Sequence, residues 1–375
     1  MKIGIIGLAY PFRGGISHFN TNMYWELKKN NDVRFYSFNY QYPEMLFPGK
    51  SQKDYSDKSY KIGDEPIYNP LNPFSWIRTI YHIRKDKREK IVFSWWVIHF
   101  GPSFFGTCSL IKLFTKAKIL FVTHNVIPHE NKIVDRIISR MAFLFVDEFI
   151  CLSKEVQNEL LDLKPKAKTL YNPHPMYSMF KDNSPRKEDA KNQLKLSDKK
   201  VILYFGYIRK YKGMDNLIKA MKHVSRKDAY LIIAGECYDD SVDYRKLICQ
   251  LGLKDRVLFK DEFVPNKLVD IYFSAADVVV CPYNSASQSG VVQIAYSYDK
   301  PVIVTDVGGL PEVVKEGKTG YVAKPRDPKD LAMKITKFFD SEIDFAAEIK
   351  EYKKIFGWDK LVEKVVSFDS YSLKS

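Results

Sequence analysis

Short β-branched and aliphatic runs alternate with amphipathic stretches along the whole chain. That alternation limits the fold more than any other feature, because strand–helix–strand units close as parallel sheets with helices on both faces. In the first half the expected strands are Lys2–Leu8, Val33–Phe38, Ile91–Ile98, Ile119–Thr123 and Glu148–Leu152. In the second half they are Val201–Tyr204, Tyr230–Ala234, Val257–Lys260, Val278–Cys281 and Pro301–Thr305. Between them Tyr171–Asp198 holds Pro173, Pro175, Pro185 and a cluster of charges, a composition shift that marks a linker. At 375 residues the chain is too long for one ordinary core and suits two domains, read here as two rounds of one α/β architecture.

The five cysteines form no C-x-x-C pair and mostly lie in apolar runs. They are expected as reduced core thiols of a cytosolic protein rather than as disulfides or a zinc site. Met1 runs directly into a strand-like segment without a basic stretch, which argues against a secretory signal. From Ile91 to Ile111, 21 residues carry no Asp, Glu, Lys or Arg, a length that a bilayer accepts. Gly101-Pro102 interrupts that run and His99, Ser103 and Thr107 dilute it, so the expectation is a strand, a loop and a helix.

The net charge of +14 is uneven: residues 1–178 hold 25 Lys+Arg against 16 Asp+Glu, and the remainder 34 against 29. A basic first half points to an anionic partner, and without a nucleic-acid module a membrane surface or charged glycan fits better than DNA. In that half, Phe74–Lys90 sets Phe74, Trp76, Ile77, Ile80, Tyr81 and Ile83 ahead of Arg84, Lys85, Lys87, Arg88 and Lys90. An interfacial helix on an anionic leaflet and an ordinary packing helix with a solvated basic end both fit that pattern.

In parallel sheets, ligands bind where strand ends meet helix N-termini. The first strand leads through Gly7 to Gly14-Gly15 and a helix from about Ser17, a place where an anion can approach backbone N–H groups. A dinucleotide fingerprint needs G-x-G-x-x-G and an acid after the second strand, whereas this chain has widely spaced glycines and Asn39. At the end of Ile119–Thr123 stands His124, opening the loop His124–Glu130, where an imidazole can exchange a hydrogen bond with a reacting hydroxyl. The second half opens with Gly206-Tyr-Ile-Arg209-Lys210-Tyr-Lys212-Gly213, cations between glycines before a helix, suited to a pyrophosphate. Further on, Gln288-Ser289-Gly290-Val291-Val292-Gln293 opens another helix as a phosphate cradle. No D-x-D occurs, so phosphates are expected to be held by protein cations and helix dipoles without a metal ion.

Taken in order, Gly14-Gly15, His124, Gly206…Lys212-Gly213, Pro301–Glu312, Gly317-Lys-Thr-Gly320 and Phe356-Gly-Trp358 resemble the retaining glycosyltransferases of family 4, the group 1 transferases. Thr305-Asp-Val-Gly-Gly-Leu-Pro-Glu312 is the most specific piece, and the resemblance covers nearly the whole chain. It implies a GT-B fold of two Rossmann-like, doubly wound domains facing across a cleft, with a C-terminal helix crossing back to the first domain. The expected parts are residues 1–178 for the acceptor, 179–355 for the donor, and 356–375 for that last helix. Lys212 matches the family's diphosphate-binding lysine, His124 its histidine near the sugar and acceptor, and Gly15 its glycine beside the phosphates. The family arginine follows directly after the glycine, where this chain has Tyr207, so Arg209 is expected to take its role.

The family's E-x7-E glutamates fall on Ala286 and Ile294, which leaves Gln293 nearest for the ribose and marks a subgroup variant. The candidate catalytic residues are therefore His124, Arg209 and Lys212. The donor-binding set is Gly14, Gly15, Gly206, Gln288, Ser289, Gly290, Val291 and Gln293, with no metal ligand and no cofactor.

The resemblance implies a metal-independent hexosyltransferase that moves a sugar from a UDP- or GDP-sugar to a glycan or lipid-linked acceptor. The family's usual role is assembly of cell-surface polysaccharide or glycolipid, and the basic first half with Phe74–Lys90 adds the expectation of a cytoplasmic protein peripheral at the inner face of the membrane. Two rivals are a non-catalytic nucleotide-sugar-binding relative, for which the missing glutamates speak, and a sugar-nucleotide epimerase. The second needs paired acids that the chain does not offer.

Overall fold

The computed structural model describes residues 1–41, 51–56, 61–127, 133–177, 184–238 and 242–372. Pro128, His129 and Glu130 of the loop after His124 lie outside them, as does the expected boundary at 178. The chain divides into two compact units, Met1–Pro175 with Gly357–Ser375, and Met176–Phe356.

The first unit runs β1 (Lys2–Gly7), α1 (Gly15–Lys28), β2 (Asp32–Ser37), α2 (Pro73–Lys85), β3 (Lys90–Trp95) and α3 (Gly101–Phe114). It continues with β4 (Lys118–Thr123), α4 (Ile133–Ala142), β5 (Glu148–Cys151), α5 (Lys154–Leu163) and β6 (Thr169–Tyr171). The strands are all parallel, in the order β2-β1-β3-β4-β5-β6. β1, β3 and β4 are buried on both faces, which is why they read as continuous apolar runs rather than alternating ones. Local chemistry sets the helix starts. Asn72 accepts a bond from the Phe74 amide with Pro73 at the first helical position, and Ser153 accepts one from Val156.

The charge-free stretch resolves into β3, a tight turn at Ile98–Phe100 and α3. The strand stops at Trp95, short of the expected Ile98, because Ile98 already belongs to that turn. No described helix is long and apolar enough to cross a membrane.

The second unit contains α6 (Lys187–Gln193), β7 (Lys200–Phe205), α7 (Met214–Met221), β8 (Ala229–Ala234), α8 (Tyr244–Gln250) and β9 (Val257–Lys260). There follow α9 (Asn266–Ala275), β10 (Val278–Cys281), α10 (Gly290–Ser297), β11 (Val302–Thr305), β12 (Gly320–Ala323), α11 (Pro328–Phe339) and α12 (Phe345–Tyr352). Its parallel order, β12-β11-β10-β7-β8-β9, is that of a dinucleotide-binding sheet, and its direction reverses between β7 and β10. Ligands bind at such a reversal, outside the carboxyl ends of the two strands.

After Phe356 the chain returns to the first unit as α13 (Trp358–Val366) and α14 (Phe368–Ser372), with α13 packed on α1. A buried ion pair fastens this return. Lys90 Nζ lies 2.7 Å from Glu148 Oε2 and donates to the Val365 carbonyl at 2.7 Å, meeting an otherwise unsatisfied C-terminal carbonyl of α13. All five cysteines are free thiols. Cys108, Cys151 and Cys281 are buried, but Cys249 is exposed on α8, so the core-thiol reading fails there.

Candidate functional site

In the second unit the reversal point is built from the loops after β7 and β10. β7 ends at Phe205, and Gly206, Tyr207, Ile208 and Arg209 lead into a tight turn at Lys210–Lys212. Gly213 closes that turn in the left-handed region, φ 62°, against the Pro282 carbonyl, where a side chain would collide. The turn folds Lys212 back, so that its Nζ is 3.6 Å from where a Cβ on Gly206 would stand, with Val291 Cγ2 3.8 Å from the same point. The turn and the first residues of α10 therefore share one small space.

α10 begins without a side-chain cap. Ser289 occupies the N-cap position, but its hydroxyl is 3.3 Å from the Tyr283 hydroxyl rather than on the first amides. The leading N–H groups, which a capping oxygen normally satisfies, are left for an anion. Lys212 completes the pattern. It is half-buried, makes no ion pair among the described residues, and its Nζ is 5.4 Å from the Tyr283 ring centroid. Burial pushes its pKa down to about 8, and the neighbouring Arg209 charge adds to that. An ammonium held away from water without a carboxylate is made for an incoming anion.

Arg209 is arranged differently. It is exposed, with its guanidinium carbon 5.5 Å from the Tyr238 ring centroid, while Tyr207 stacks on the same ring at 4.8 Å. Tyr238 in turn donates to Glu236 Oε2 at 3.1 Å. The Thr305–Glu312 stretch is tied to the same region, since Thr305 Oγ1 donates to the Tyr283 carbonyl at 2.5 Å and Gly309 N to the Ser287 carbonyl at 3.1 Å.

In the first unit the loop after β1 reaches α1 through Gly14, whose φ of 104° suits glycine, and α1 also starts without a side-chain cap. Asn20 pins the loop by donating to the Leu8 carbonyl at 2.8 Å and accepting from Ser94 Oγ at 2.5 Å. His124 follows β4, its amide bonded to the Trp95 carbonyl at 2.9 Å. Its ring meets Phe19 edge-on at 4.6 Å and His174 at 5.9 Å. Burial, and secondarily His174, holds its pKa well below the usual histidine value, so it works as a neutral imidazole with one donor and one acceptor.

Comparison with known proteins shows what the chain is similar to. Residues 185–356 match the family of glycosyl transferases group 1. Over 96% of its length the chain is 26% identical to an uncharacterized glycosyltransferase of Methanocaldococcus jannaschii, covering 96% of that protein. Among solved structures, HepE of Anabaena in complex with UDP-glucose superposes with a TM-score of 0.77 at 16% identity, over 99% of this chain and 100% of that one. Sucrose-phosphate synthase from Thermosynechococcus elongatus superposes with a TM-score of 0.74 at 17% identity, over the full length of both chains. These neighbours are GT-B glycosyltransferases, and the fold here is of that α/β class, with two Rossmann-like domains.

Within the matched region Gly206, Lys212, Gly290 and Val291 come together, while Arg209 stands aside on Tyr238. Ser289 keeps its hydroxyl near Tyr283 and leaves the start of α10 uncapped, and Gln288 is half-buried beside it. Ala286 and Ile294, where the sequence resemblance places two glutamates, are buried. Gln293 is buried as well, and its Oε1 accepts no hydrogen bond among the described residues. An orphan carbonyl in such a place costs about 1–3 kcal/mol. If it serves the donor, Gln293→Ala weakens nucleotide affinity about tenfold while stability holds or rises, as titration beside thermal unfolding checks.

His174 and Tyr177 were missed from the sequence. His174 lies between two prolines, a spacing that draws attention but names no partner, and Tyr177 packs 3.1 Å from where a Cβ on Gly290 would stand.

Proposed function

We propose that this chain is a retaining, metal-independent glycosyltransferase that takes a hexose from a UDP- or GDP-sugar and passes it to a glycan or lipid-linked acceptor. Cell-surface polysaccharide or glycolipid assembly is the setting proposed for it. One observation carries the reading: the half-buried Lys212 ammonium, without a carboxylate among the described residues, beside the uncapped start of α10. As the glycosidic bond breaks, negative charge grows on the nucleoside diphosphate, and groups fixed in advance at that place lower the barrier. Arg209 adds positive charge from the exposed side, Gly206 leaves room, and Gln288 and Gln293 contact the donor. In the first unit, Gly14 and Gly15 approach the donor phosphates and His124 hydrogen-bonds the sugar or the acceptor hydroxyl. Among the described residues no group of three or more His, Cys, Asp or Glu stands ready to hold a metal ion. In this reading Lys212 supplies positive charge to the diphosphate.

The relatives support the donor class. The M. jannaschii relative is named a glycosyltransferase, and HepE was solved with UDP-glucose. Release of UDP or GDP from a panel of nucleotide sugars, with and without EDTA, tests the reading. Turnover of one donor that EDTA leaves unchanged supports it, and loss of turnover in EDTA contradicts metal independence.

The reading also fixes a pH dependence. Lys212 must be protonated to bind the diphosphate and has a pKa of about 8 in the free protein. Donor kcat/KM therefore falls about tenfold per unit as pH rises beyond that value. Lys212→Arg, charged at every working pH, removes the fall. A profile that stays flat to pH 10 in the unsubstituted protein contradicts the role.

A second reading, a nucleotide-sugar-binding relative without turnover, is favoured by the apolar, buried Ala286 and Ile294. It predicts nucleotide binding with neither transfer nor donor hydrolysis.

A further inference from the structure

α4 is turned inside out. A surface helix normally sends its apolar stripe inward and its polar residues to water. In α4 the side facing the unit carries Asp135, Ser139 and Ala142, and Ser139 Oγ donates to the Val126 carbonyl at 3.1 Å. Ile133, Val134 and Ile137 point outward, 79%, 60% and 60% exposed, and Leu144 extends the stripe past the helix end.

The neighbouring helices continue this surface. α3 packs against both α2 and α4. Its glycines permit the approach: a Cβ on Gly106 would stand 2.6 Å from Trp76 of α2, and one on Gly101 would collide with Ile138 of α4. Outward from α2 stand Phe74, Ile77 and Tyr81, at helical spacing and 80%, 57% and 62% exposed.

Charge chooses the occupant. α2 and α3 contain no Asp or Glu, and the single acid of α4, Asp135, is buried. Arg78, Arg84, Lys85, Arg136 and Arg140 stand on α2 and α4 and form no ion pair among the described residues. A second copy of the chain would set these cations against themselves, because a two-fold contact repeats one surface on both sides. An anionic leaflet meets both halves of the pattern, apolar side chains entering the acyl boundary while cations lie among the headgroups.

We propose that the outward face of α2, α3 and α4 docks this chain on an anionic lipid leaflet. The proposal stands independently of the donor site, and it gives α4 a part in the surface beside α2.

Flotation with phosphatidylcholine vesicles, with and without phosphatidylglycerol, tests it. The protein floats with the anionic vesicles and is released by salt. Phe74→Ser with Ile137→Asp lowers the partition at least about tenfold. Arg78→Glu with Arg140→Glu removes the preference for anionic lipid, each cation being worth about fivefold. All four positions are on the surface, so thermal unfolding stays unchanged and separates lost docking from lost folding; Val134→Ser is a milder variant for the same test. Failure to float with either vesicle overturns the proposal, as does flotation that Phe74→Ser with Ile137→Asp leaves unchanged. A dimer in solution that Ile137→Asp splits also overturns it, giving the face to a second copy.

Discussion

Lys212→Ala lowers kcat by about 10²–10³-fold, the usual cost of removing one fixed group from a site where transition-state charge develops. Lys212 earns this weight by its position: a half-buried ammonium over Gly206 and beside Val291, with α10 contributing uncapped amides. Arg209→Ala costs less, within about tenfold, because its guanidinium is exposed on the Tyr238 ring. Stability separates this role from a structural one. Burial lowers the Lys212 pKa to about 8, so at neutral pH the fold holds a charge it disfavours. Lys212→Met is thus expected to leave the unfolding temperature of the ligand-free protein unchanged or raised while turnover is lost. Near-normal turnover in both Arg209→Ala and Lys212→Ala contradicts the site.

Glu148→Ala has the largest expected effect on stability. It strands the buried Lys90 ammonium, which stands 2.7 Å from the carboxylate, and it also removes the contact from Lys118 at 3.4 Å. Breaking a buried pair in this way costs about 3–5 kcal/mol, because the remaining charge stays desolvated. Lys90 also holds the Val365 carbonyl of α13, so the return of the chain onto the first unit is loosened with it. Replacing both partners, Lys90→Met with Glu148→Leu, recovers part of the loss, since no lone charge then remains. Urea unfolding of the three proteins checks this. A loss below about 1 kcal/mol for Glu148→Ala shows that the pair is not fastening the unit.

Much of this architecture was legible in the residues, for a physical reason. Parallel strands covered on both faces must be apolar at every position, and so Val278–Cys281 shows its bounds directly. The two short strands β6 and β12 were not seen. Thr169–Tyr171 spans only three residues and ends where the linker begins, and Gly320–Ala323 opens on a glycine whose close approach to the Val302 carbonyl no local pattern reveals. The loops after β7 and β10 stood out because glycines and cations ahead of a helix start suit an anion. Distant chain sections set what stayed hidden. Tyr177 limits Gly290, His174 lies beside the His124 ring, and Ser289 turns from its helix to Tyr283. The outward stripe of α4 was hidden in another way: its sequence is amphipathic, and periodicity does not say which side faces the sheet.

The central claim is that the second unit holds a nucleoside diphosphate at Lys212 and the start of α10. Its most direct test is thermal unfolding of the unsubstituted protein and of Lys212→Ala, titrated with UDP, GDP and their sugars in EDTA. The account predicts a selective shift with one nucleotide, worth about 2.7 kcal/mol at a hundred times its dissociation constant, and largely absent in Lys212→Ala. No shift with any nucleotide, or a shift that Lys212→Ala keeps in full, would contradict it.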